Sequence, residues 1–113
     1  MDPTVVYNAI RGGLAGSTVL DAKAPLMINR QFAPGFRIEL HLKDLLNALE
    51  TAHQTRVPLP FTSLAAEVMA ALKADGKGAL DHSGLVQFFE SLAGAKVTKR
   101  GEVLASSPGQ MAA

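Results

Sequence analysis

One segment of the chain carries apolar residues at helical spacing over about four turns. Steps of three and four residues separate its apolar members, which are Ile38, Leu42, Leu45, Leu49 and Ala52. This spacing predicts an amphipathic α-helix from Arg37 to Thr55 with one apolar and one polar face. Because a chain of 113 residues has room for a single domain, we expect this helix to form the centre of its core.

The composition of the whole chain favours helices over strands. Alanine and leucine are abundant, aromatic residues are few, and β-branched residues do not alternate with polar ones. We therefore predict a compact all-α domain of about five helices. The expected helix starts are Asp2, Ser17, Arg37, Thr62 and Asp81. The expected ends lie before Gly12, near Arg30, at Thr55, in the turn 75–78 and before Gly94.

Apolar stripes identify the side chains that we expect to face the core from the other helices. They are Val19, Ala22, Leu26 and Ile28 in the second helix, Leu64, Ala65, Val68, Met69 and Leu72 in the fourth, and Leu85, Phe88, Phe89 and Leu92 in the fifth. Pro25 lies within the second helix and is expected to kink or break it. Residues 95–113 lack a sustained period, so we expect a domain of residues 1–94 followed by a poorly ordered tail.

Charge and composition exclude several classes of function. Lys and Arg total 11 against 10 Asp and Glu, so the overall charge does not favour nucleic acid or an anionic membrane. The absence of Cys excludes disulfides and thiolate metal sites. The apolar runs are too short to span a membrane, and the amino end lacks the pattern of a signal peptide. We therefore expect a soluble cytoplasmic protein.

The polar face of the predicted core helix begins with a dense group of charges around Lys43. Glu39 and Lys43 are four residues apart, a spacing that suits a solvated ion pair worth a few tenths of a kcal/mol, about 0.2–0.5. Alternatively, the Lys43 ammonium lines a cleft, where it reaches a polar or anionic ligand. The spacing alone does not choose between these interpretations.

The three histidines do not predict a metal site or a catalytic triad. His41 lies at the margin of the apolar face, where a neutral imidazole with one internal hydrogen bond is the common finding. His41 and Asp44 are three residues apart, but no third ligand has a matching spacing. His53 and His82 are isolated in the sequence, and Asp81 beside His82 is expected to cap a helix rather than to support a nucleophile.

The segment GGLAGS, residues 12–17, resembles a phosphate-binding loop only superficially. The dinucleotide fingerprint requires a preceding strand and the spacing G-x-G-x-x-G, whereas the residues before Gly12 are predicted to be helical. We interpret the segment as a flexible turn between helices. The alternative is a loop that lines a ligand cleft without cradling phosphate.

Two long segments together resemble a known family. They are YNAIRGGLAGSTVLDAKAPLMINRQFAPGFRIELHLKDLLNALETA and PLPFTSLAAEVMAALKADGKGALDHSGLVQFFESLA, which cover nearly everything before residue 95. Both resemble the C-terminal helical domain of the β-hydroxyacid dehydrogenases, and within them the subgroup that reduces tartronate semialdehyde (2-hydroxy-3-oxopropionate). The resemblance implies a 6-phosphogluconate dehydrogenase C-terminal-like helical domain that closes over NAD(P)H bound by a separate Rossmann domain.

The resemblance also implies roles for five residues. Lys43 matches a lysine that contacts the cofactor, with Asp44 beside it, and Phe36 packs near the same cleft. Ser17 and Thr18 occupy the loop that approaches the small hydroxy or oxo acid substrate. Relatives of the hydroxyisobutyrate type often carry Trp at the position of Thr18, so the smaller residue fits the tartronate semialdehyde subgroup better.

The family's catalytic machinery does not match any part of this sequence. Its glycine-rich dinucleotide loop, its Ser-Gly-Gly segment and its catalytic Lys all belong upstream of the region that resembles this chain. The resemblance therefore implies that the chain is inactive alone, does not bind NAD(P)H tightly, and functions with a Rossmann domain in a homo-oligomer. The alternative is a freestanding helical module for oligomerisation or interaction, derived from such an enzyme.

Overall fold

The computed structural model describes residues 1–99, which form five α-helices and one 3-10 turn. The helices are α1 Pro3–Ile10, α2 Thr18–Ile28, α3 Ile38–Thr55, α4 Pro60–Ala74 and α5 Val86–Ala93, and the 3-10 turn is His82–Leu85. The described residues contain no β-strand, only one isolated antiparallel bridge between Arg37 and Asp81. This confirms the predicted all-α fold. Most of the expected tail, residues 100–113, lies outside the described residues.

The core lies between α3 and α4, which form an antiparallel pair joined by a short loop. Ile38 is fully buried at the start of α3, and Leu42 is buried one turn later. They pack with Ala66, Val68, Met69 and Leu72 of α4, and Leu45, Leu49, Leu80, Leu85 and Phe88 cover this cluster in part. The prediction that α3 is the core helix is therefore confirmed.

Side-chain caps or an N-terminal proline explain where three of the five α-helices of residues 1–99 begin. The side chains of Asp2 and Ser17 accept hydrogen bonds from the first turns of α1 and α2, as expected. α4 begins at Pro60, two residues before the predicted Thr62, because proline fits the first helical position, where its missing N–H is not needed. α2 continues through Pro25, so the expected break is absent.

Several apolar side chains that were expected to face the core are exposed. Leu64 is 64% exposed because it lies about 80° around α4 from Leu72, at the margin of the apolar face. Phe89 is exposed because it lies about 100° around α5 from Phe88, through which this short helix packs. Leu92 follows Phe88 by one turn on the same side, but it lies near the end of α5 and is 74% exposed. Val19, at the start of α2, is 66% exposed.

Ion pairs attach α2 to its neighbours. Asp21 accepts hydrogen bonds from the Tyr7 hydroxyl at 2.7 Å and from Arg11 at 3.0 Å, and these exposed contacts hold α1 against α2. Just beyond the end of α2, Arg30 pairs with Glu90 of α5 through both of its terminal nitrogens. None of the helices formed by residues 1–99 is long and apolar enough to cross a membrane.

Two loops pair side by side at the start of α3. The amides of Ile38 and Glu39 donate to the carbonyls of Leu80 and Gly78, at 2.9 and 3.0 Å. In the other direction, the amide of Asp81 donates to the carbonyl of Phe32 at 3.1 Å. These bonds satisfy amides of the first turn of α3, which has no side-chain cap. They also bring the loop that contains Phe36 against the 3-10 turn.

Candidate functional site

Lys43 lies in the second turn of α3 with its ammonium exposed to solvent. Its side chain is 64% exposed, and its carboxylate partner is Asp44 at 3.7 Å. The expected pair with Glu39 is wrong, since Glu39 instead pairs with Arg37 at 3.1 Å. A pair of adjacent exposed residues at this distance binds weakly. The Lys43 ammonium is therefore available to an anionic group that approaches α3.

Phe36 occupies the loop before α3 and is half-buried. Its ring lies edge-on to the His82 ring, with centroids 5.4 Å apart, and is tilted against the His41 ring at 5.7 Å. Aromatic rings prefer such edge-on and tilted arrangements at this separation. The three rings form a cluster, Phe36, His41 and His82, that we call the aromatic trio.

The two histidines of the trio share a hydrogen bond. The Nδ1 atoms of His41 and His82 are 3.0 Å apart, so one donates to the other, and the tautomers decide which. The interpretation of His82 as isolated is thus wrong, because the fold joins residues 41 positions apart. Burial lowers the pKa of His82, and the nearby Lys23 and His41 lower it further, whereas the charge of Asp81 raises it. His82 is therefore neutral near pH 7.

Asp81 is the most thoroughly hydrogen-bonded carboxylate of the described residues. It is fully buried, and it accepts from the amide of Ser83 at 3.0 Å, so it is a cap as predicted, but it caps the 3-10 turn, and α5 begins only at Val86. It also accepts from the amides of Gly35 at 3.2 Å and Phe36 at 2.8 Å. The ammonium of Lys23 lies 3.1 and 3.3 Å from its two oxygens. One side chain thus joins α2, the loop before α3 and the 3-10 turn.

The electrostatics of Asp81 favour its ionised form. Burial alone would raise the pKa of this carboxyl, but the donors at Phe36, Ser83 and Lys23 outweigh that effect. The pKa of Asp81 is therefore held well below its usual range. At neutral pH the site contains a buried carboxylate with a partly buried lysine as its counter-ion.

Ser17 and Thr18 lie at the start of α2. The Ser17 hydroxyl accepts from the amide of Leu20 at 3.0 Å, so it acts as a helix cap, and the Thr18 side chain is exposed. Within residues 1–99, no hydrogen bond, ion pair or ring contact joins these residues to Phe36 or Lys43. They are connected to Phe36 only indirectly. Lys23, about 7.5 Å along the axis of α2 from Thr18, binds Asp81, and Asp81 binds the amide of Phe36.

A metal centre finds no support in the part of the chain that the structure describes. No group of three or more His, Asp and Glu side chains is close enough there to hold an ion. Lys43 presents an exposed cation and Phe36 a partly exposed aromatic ring.

Comparisons with known proteins agree with this helical fold. Residues 1–89 match the family model described as "NAD-binding of NADP-dependent 3-hydroxyisobutyrate dehydrogenase". The chain belongs to this family. It is 43% identical over 96 residues to the 2-hydroxy-3-oxopropionate reductase of Escherichia coli, a match that covers 85% of this chain and 33% of that protein. The recognition of the family from the sequence is therefore confirmed.

More distant members of the family also resemble the chain. It is 31% identical over 99 residues to the 2-(hydroxymethyl)glutarate dehydrogenase of Eubacterium barkeri, which covers 87% of this chain and 33% of that protein. A crystal structure of 3-hydroxyisobutyrate dehydrogenase from Salmonella typhimurium superposes with a TM-score of 0.76 at 22% identity, covering 79% of this chain and 31% of that one. The chain thus spans about a third of the length of these relatives.

Proposed function

We propose that this chain is the cleft-closing domain of an NAD(P)H-dependent 2-hydroxy-3-oxopropionate (tartronate semialdehyde) reductase. The observation that carries the proposal is the 43% identity to the reductase of that name, against 31% to the glutarate dehydrogenase, over similar shares of the chain. Because the chain spans about a third of the reductase, the activity belongs to its combination with a Rossmann domain. In this proposal the chain alone is inactive and binds NAD(P)H weakly.

In this proposal the exposed face at the start of α3 borders the cofactor. The Lys43 ammonium, which Asp44 holds only weakly, attracts a phosphate or a polar edge of the dinucleotide. Phe36 offers an apolar face to the nicotinamide and excludes water from it. The dinucleotide supplies the hydride when it is bound.

The start of α2 approaches the substrate in the same proposal. Ser17 caps α2 and Thr18 is its first residue, so both lie at the positive end of the helix dipole, which favours the carboxylate of a small hydroxy or oxo acid. The proton for the forming alkoxide comes from the Rossmann portion, as the family resemblance implies, and not from Lys43. Assembly into a homo-oligomer and a cytoplasmic location belong to the same proposal.

A reductase assay with matched lysine variants tests the role of the α3 face. The chain is assayed alone and after fusion to the Rossmann portion of the Escherichia coli reductase, with NADH or NADPH and 2-hydroxy-3-oxopropionate. We expect activity only in the fusion. In the fusion, Lys43→Met should raise the KM for the cofactor about tenfold, which corresponds to about 1.4 kcal/mol. The matched control Lys73→Met, on the exposed surface of α4, should leave it unchanged.

Two results of this assay would contradict the proposal. A reductase rate from the isolated chain comparable to that of the fusion would show that no Rossmann domain is needed. Equal cofactor KM values for the Lys43 and Lys73 variants would show that α3 does not border the nucleotide.

The alternative function is a freestanding module for oligomerisation or interaction. It is favoured by α1, which has no buried residue and exposes Val5, Val6 and Ile10. Apolar side chains grouped on one helix often mark a contact surface. Sedimentation discriminates between the two functions, since a chain that remains monomeric at high concentration counts against the module.

A further inference from the structure

We propose that Asp81 is a positioning residue, which holds the Gly35–Phe36 segment in the place from which Phe36 meets the cofactor. The inference rests on the proposed function of Phe36, and it adds Asp81 and Lys23 to the residues on which cofactor binding depends. Neither residue touches the cofactor in this proposal. They act through the backbone that carries Phe36.

The hydrogen bonds of Asp81 exceed what a helix cap requires. A cap needs one carboxylate oxygen and one amide of the first turn, which here is the bond from Ser83 to Oδ2. The other oxygen, Oδ1, accepts from the amides of Gly35 and Phe36. The capped turn is therefore joined to a loop that lies 45 positions earlier in the chain.

Both peptide groups of Phe36 are held by the turn that Asp81 caps. Its amide donates to Asp81 at 2.8 Å, and its carbonyl accepts from the amide of His82 at 2.7 Å. The ring then rests against His82 and His41. Because both backbone polar groups are hydrogen-bonded and the ring contacts two histidines, the Phe36 side chain has few alternative positions. It nevertheless stays partly exposed.

The loop fits closely around the Asp81 carboxylate. A Cβ atom at Gly35 would lie 3.1 Å from Asp81 Oδ1 and 3.8 Å from the Lys23 ammonium. The absence of a side chain at Gly35 thus lets its amide approach the carboxylate. This close approach belongs to the same contact as the hydrogen bond of the Gly35 amide, and it shows how little room the contact leaves for a side chain.

Lys23 extends the same arrangement to α2. Its ammonium bridges both Asp81 oxygens, and its side chain is only 21% exposed, so it neutralises a charge that would otherwise be buried alone. α2 starts with Thr18, the proposed substrate residue. The Lys23–Asp81 pair therefore sets the position of the proposed substrate segment relative to the proposed cofactor wall.

The chain offers a matched control for this ion pair. Glu90 is also a largely buried carboxylate, and it also binds a cation close to α2, Arg30, at 2.7 Å. Its further bond goes to the amide of Val97, not to the Phe36 loop. Glu90→Gln thus removes a comparable ion pair without releasing Phe36.

The experiment compares Asp81→Asn, Lys23→Met, Glu90→Gln and Phe36→Ala in the active fusion. Circular dichroism and thermal melting confirm that each variant is folded at the assay temperature. We expect Asp81→Asn and Lys23→Met to raise the cofactor KM at least fivefold while kcat changes less than threefold. Phe36→Ala should raise the cofactor KM by at least as much, and Glu90→Gln should leave it within twofold.

A second measurement on the 113-residue chain does not depend on activity. NMR spectra report the ring protons of His41 and His82, whose rings lie within 6 Å of the Phe36 ring. Lys23→Met should weaken the nuclear Overhauser contacts between these protons and the Phe36 ring, and Glu90→Gln should not. Because Lys23→Met keeps the carboxylate and its three amide donors, it remains informative if Asp81→Asn does not fold.

The outcomes separate the two proposals. If Phe36→Ala leaves the cofactor KM unchanged, the proposed role of Phe36 fails, whatever the other variants do. If Phe36→Ala raises it but folded Lys23→Met and Asp81→Asn do not, Asp81 is not a positioning residue. Unchanged contacts between the Phe36 ring and the two histidine rings in Lys23→Met would overturn the inference by themselves, and so would a Glu90→Gln effect as large as that of Lys23→Met.

Discussion

Replacing Asp81 by Asn should destabilise the chain by an amount that depends on pH. The substitution keeps the shape of the side chain and removes its charge. The two oxygens of Asp81 accept from the amides of Gly35, Phe36 and Ser83 and from the Lys23 ammonium. Asparagine has one acceptor oxygen and one donor nitrogen. In either orientation, its NH₂ group therefore faces at least one amide that also donates.

The magnitude follows from the bonds that are lost. One orientation leaves the Ser83 amide without an acceptor, and the other leaves the amides of Gly35 and Phe36 without one. Each unsatisfied buried donor costs about 1–3 kcal/mol. The Lys23 ammonium also loses its counter-ion, although its 21% exposure lets water compensate in part. The sum is about 3–5 kcal/mol at neutral pH, as for other broken buried pairs.

The pH dependence follows from the depressed pKa of Asp81. A carboxyl whose pKa is lower in the folded than in the unfolded chain contributes stability above the unfolded value, about 3.9. That contribution is lost as the pH falls through the unfolded pKa toward the folded one. Below about pH 4, the wild type should therefore lose up to about 1.4 kcal/mol per pH unit relative to the variant. The two stabilities should converge in acid.

Urea denaturation followed by circular dichroism at pH 7, 5, 4 and 3 measures both effects. The control is Asp75→Asn, because Asp75 is 69% exposed in its pair with Lys77, so its replacement should change stability by less than about 0.5 kcal/mol. A constant difference between wild type and Asp81→Asn from pH 7 to pH 3 would refute the reasoning. It would mean that the charge of Asp81 does not stabilise the fold.

Four further changes and measurements have expected outcomes. Ile38→Ala should lower the free energy of unfolding by about 2–5 kcal/mol in urea denaturation because Ile38 is fully buried, whereas Leu46→Ala, at a side chain 52% exposed, should have little effect. Gly16→Ala should lower the melting temperature because its Cβ would clash with the backbone before it, while Gly12→Ala, whose Cβ meets nothing within 4 Å, should not. Arg56→Gly should stabilise the chain by up to about 1 kcal/mol, since Arg56 ends α3 in the left-handed conformation, with φ 59°. Amide hydrogen exchange should be slower in α3 and α4 than in α1, which has no buried residue; equal protection would contradict the assignment of the core.

The fold could be predicted from the sequence because its determinants are local. The apolar period of α3 identifies Ile38 and Leu42 as core residues. Asp2 and Ser17 indicate helix starts because each caps an amide two or three residues later in the chain. The wrong predictions are those of which apolar side chains in a helix are covered by other helices. Leu64 and Phe89 lie at the margins of the apolar faces of α4 and α5, and how far such a face is covered depends on neighbours that no local pattern reveals.

The candidate site could be predicted only in part for the same reason. The pair of Lys43 with Asp44 joins adjacent residues, but the contacts of His41 with His82 and of Lys23 with Asp81 span 41 and 58 positions. The sequence predicted Asp81 as a helix cap, which explains its hydrogen bond from Ser83. Its hydrogen bonds from Lys23, Gly35 and Phe36 could not be predicted in this way. Lys23 could have indicated the ion pair, because it lies between Ala22 and Leu26 in a predicted apolar stripe, where a cation needs a counter-ion.

Polar contacts, more than apolar burial, set the position of α2. Only Ile28 of this helix is buried, whereas α4 buries four side chains against α3. α2 is instead tied through Lys23 to Asp81, and the residue beyond its end, Arg30, is tied to Glu90. Hydrophobic packing tolerates small shifts in register, but a bridged carboxylate allows few positions. When α2 is attached in this way, its start and the Phe36 loop keep a fixed position relative to each other. Residues that form one binding surface require such a fixed position.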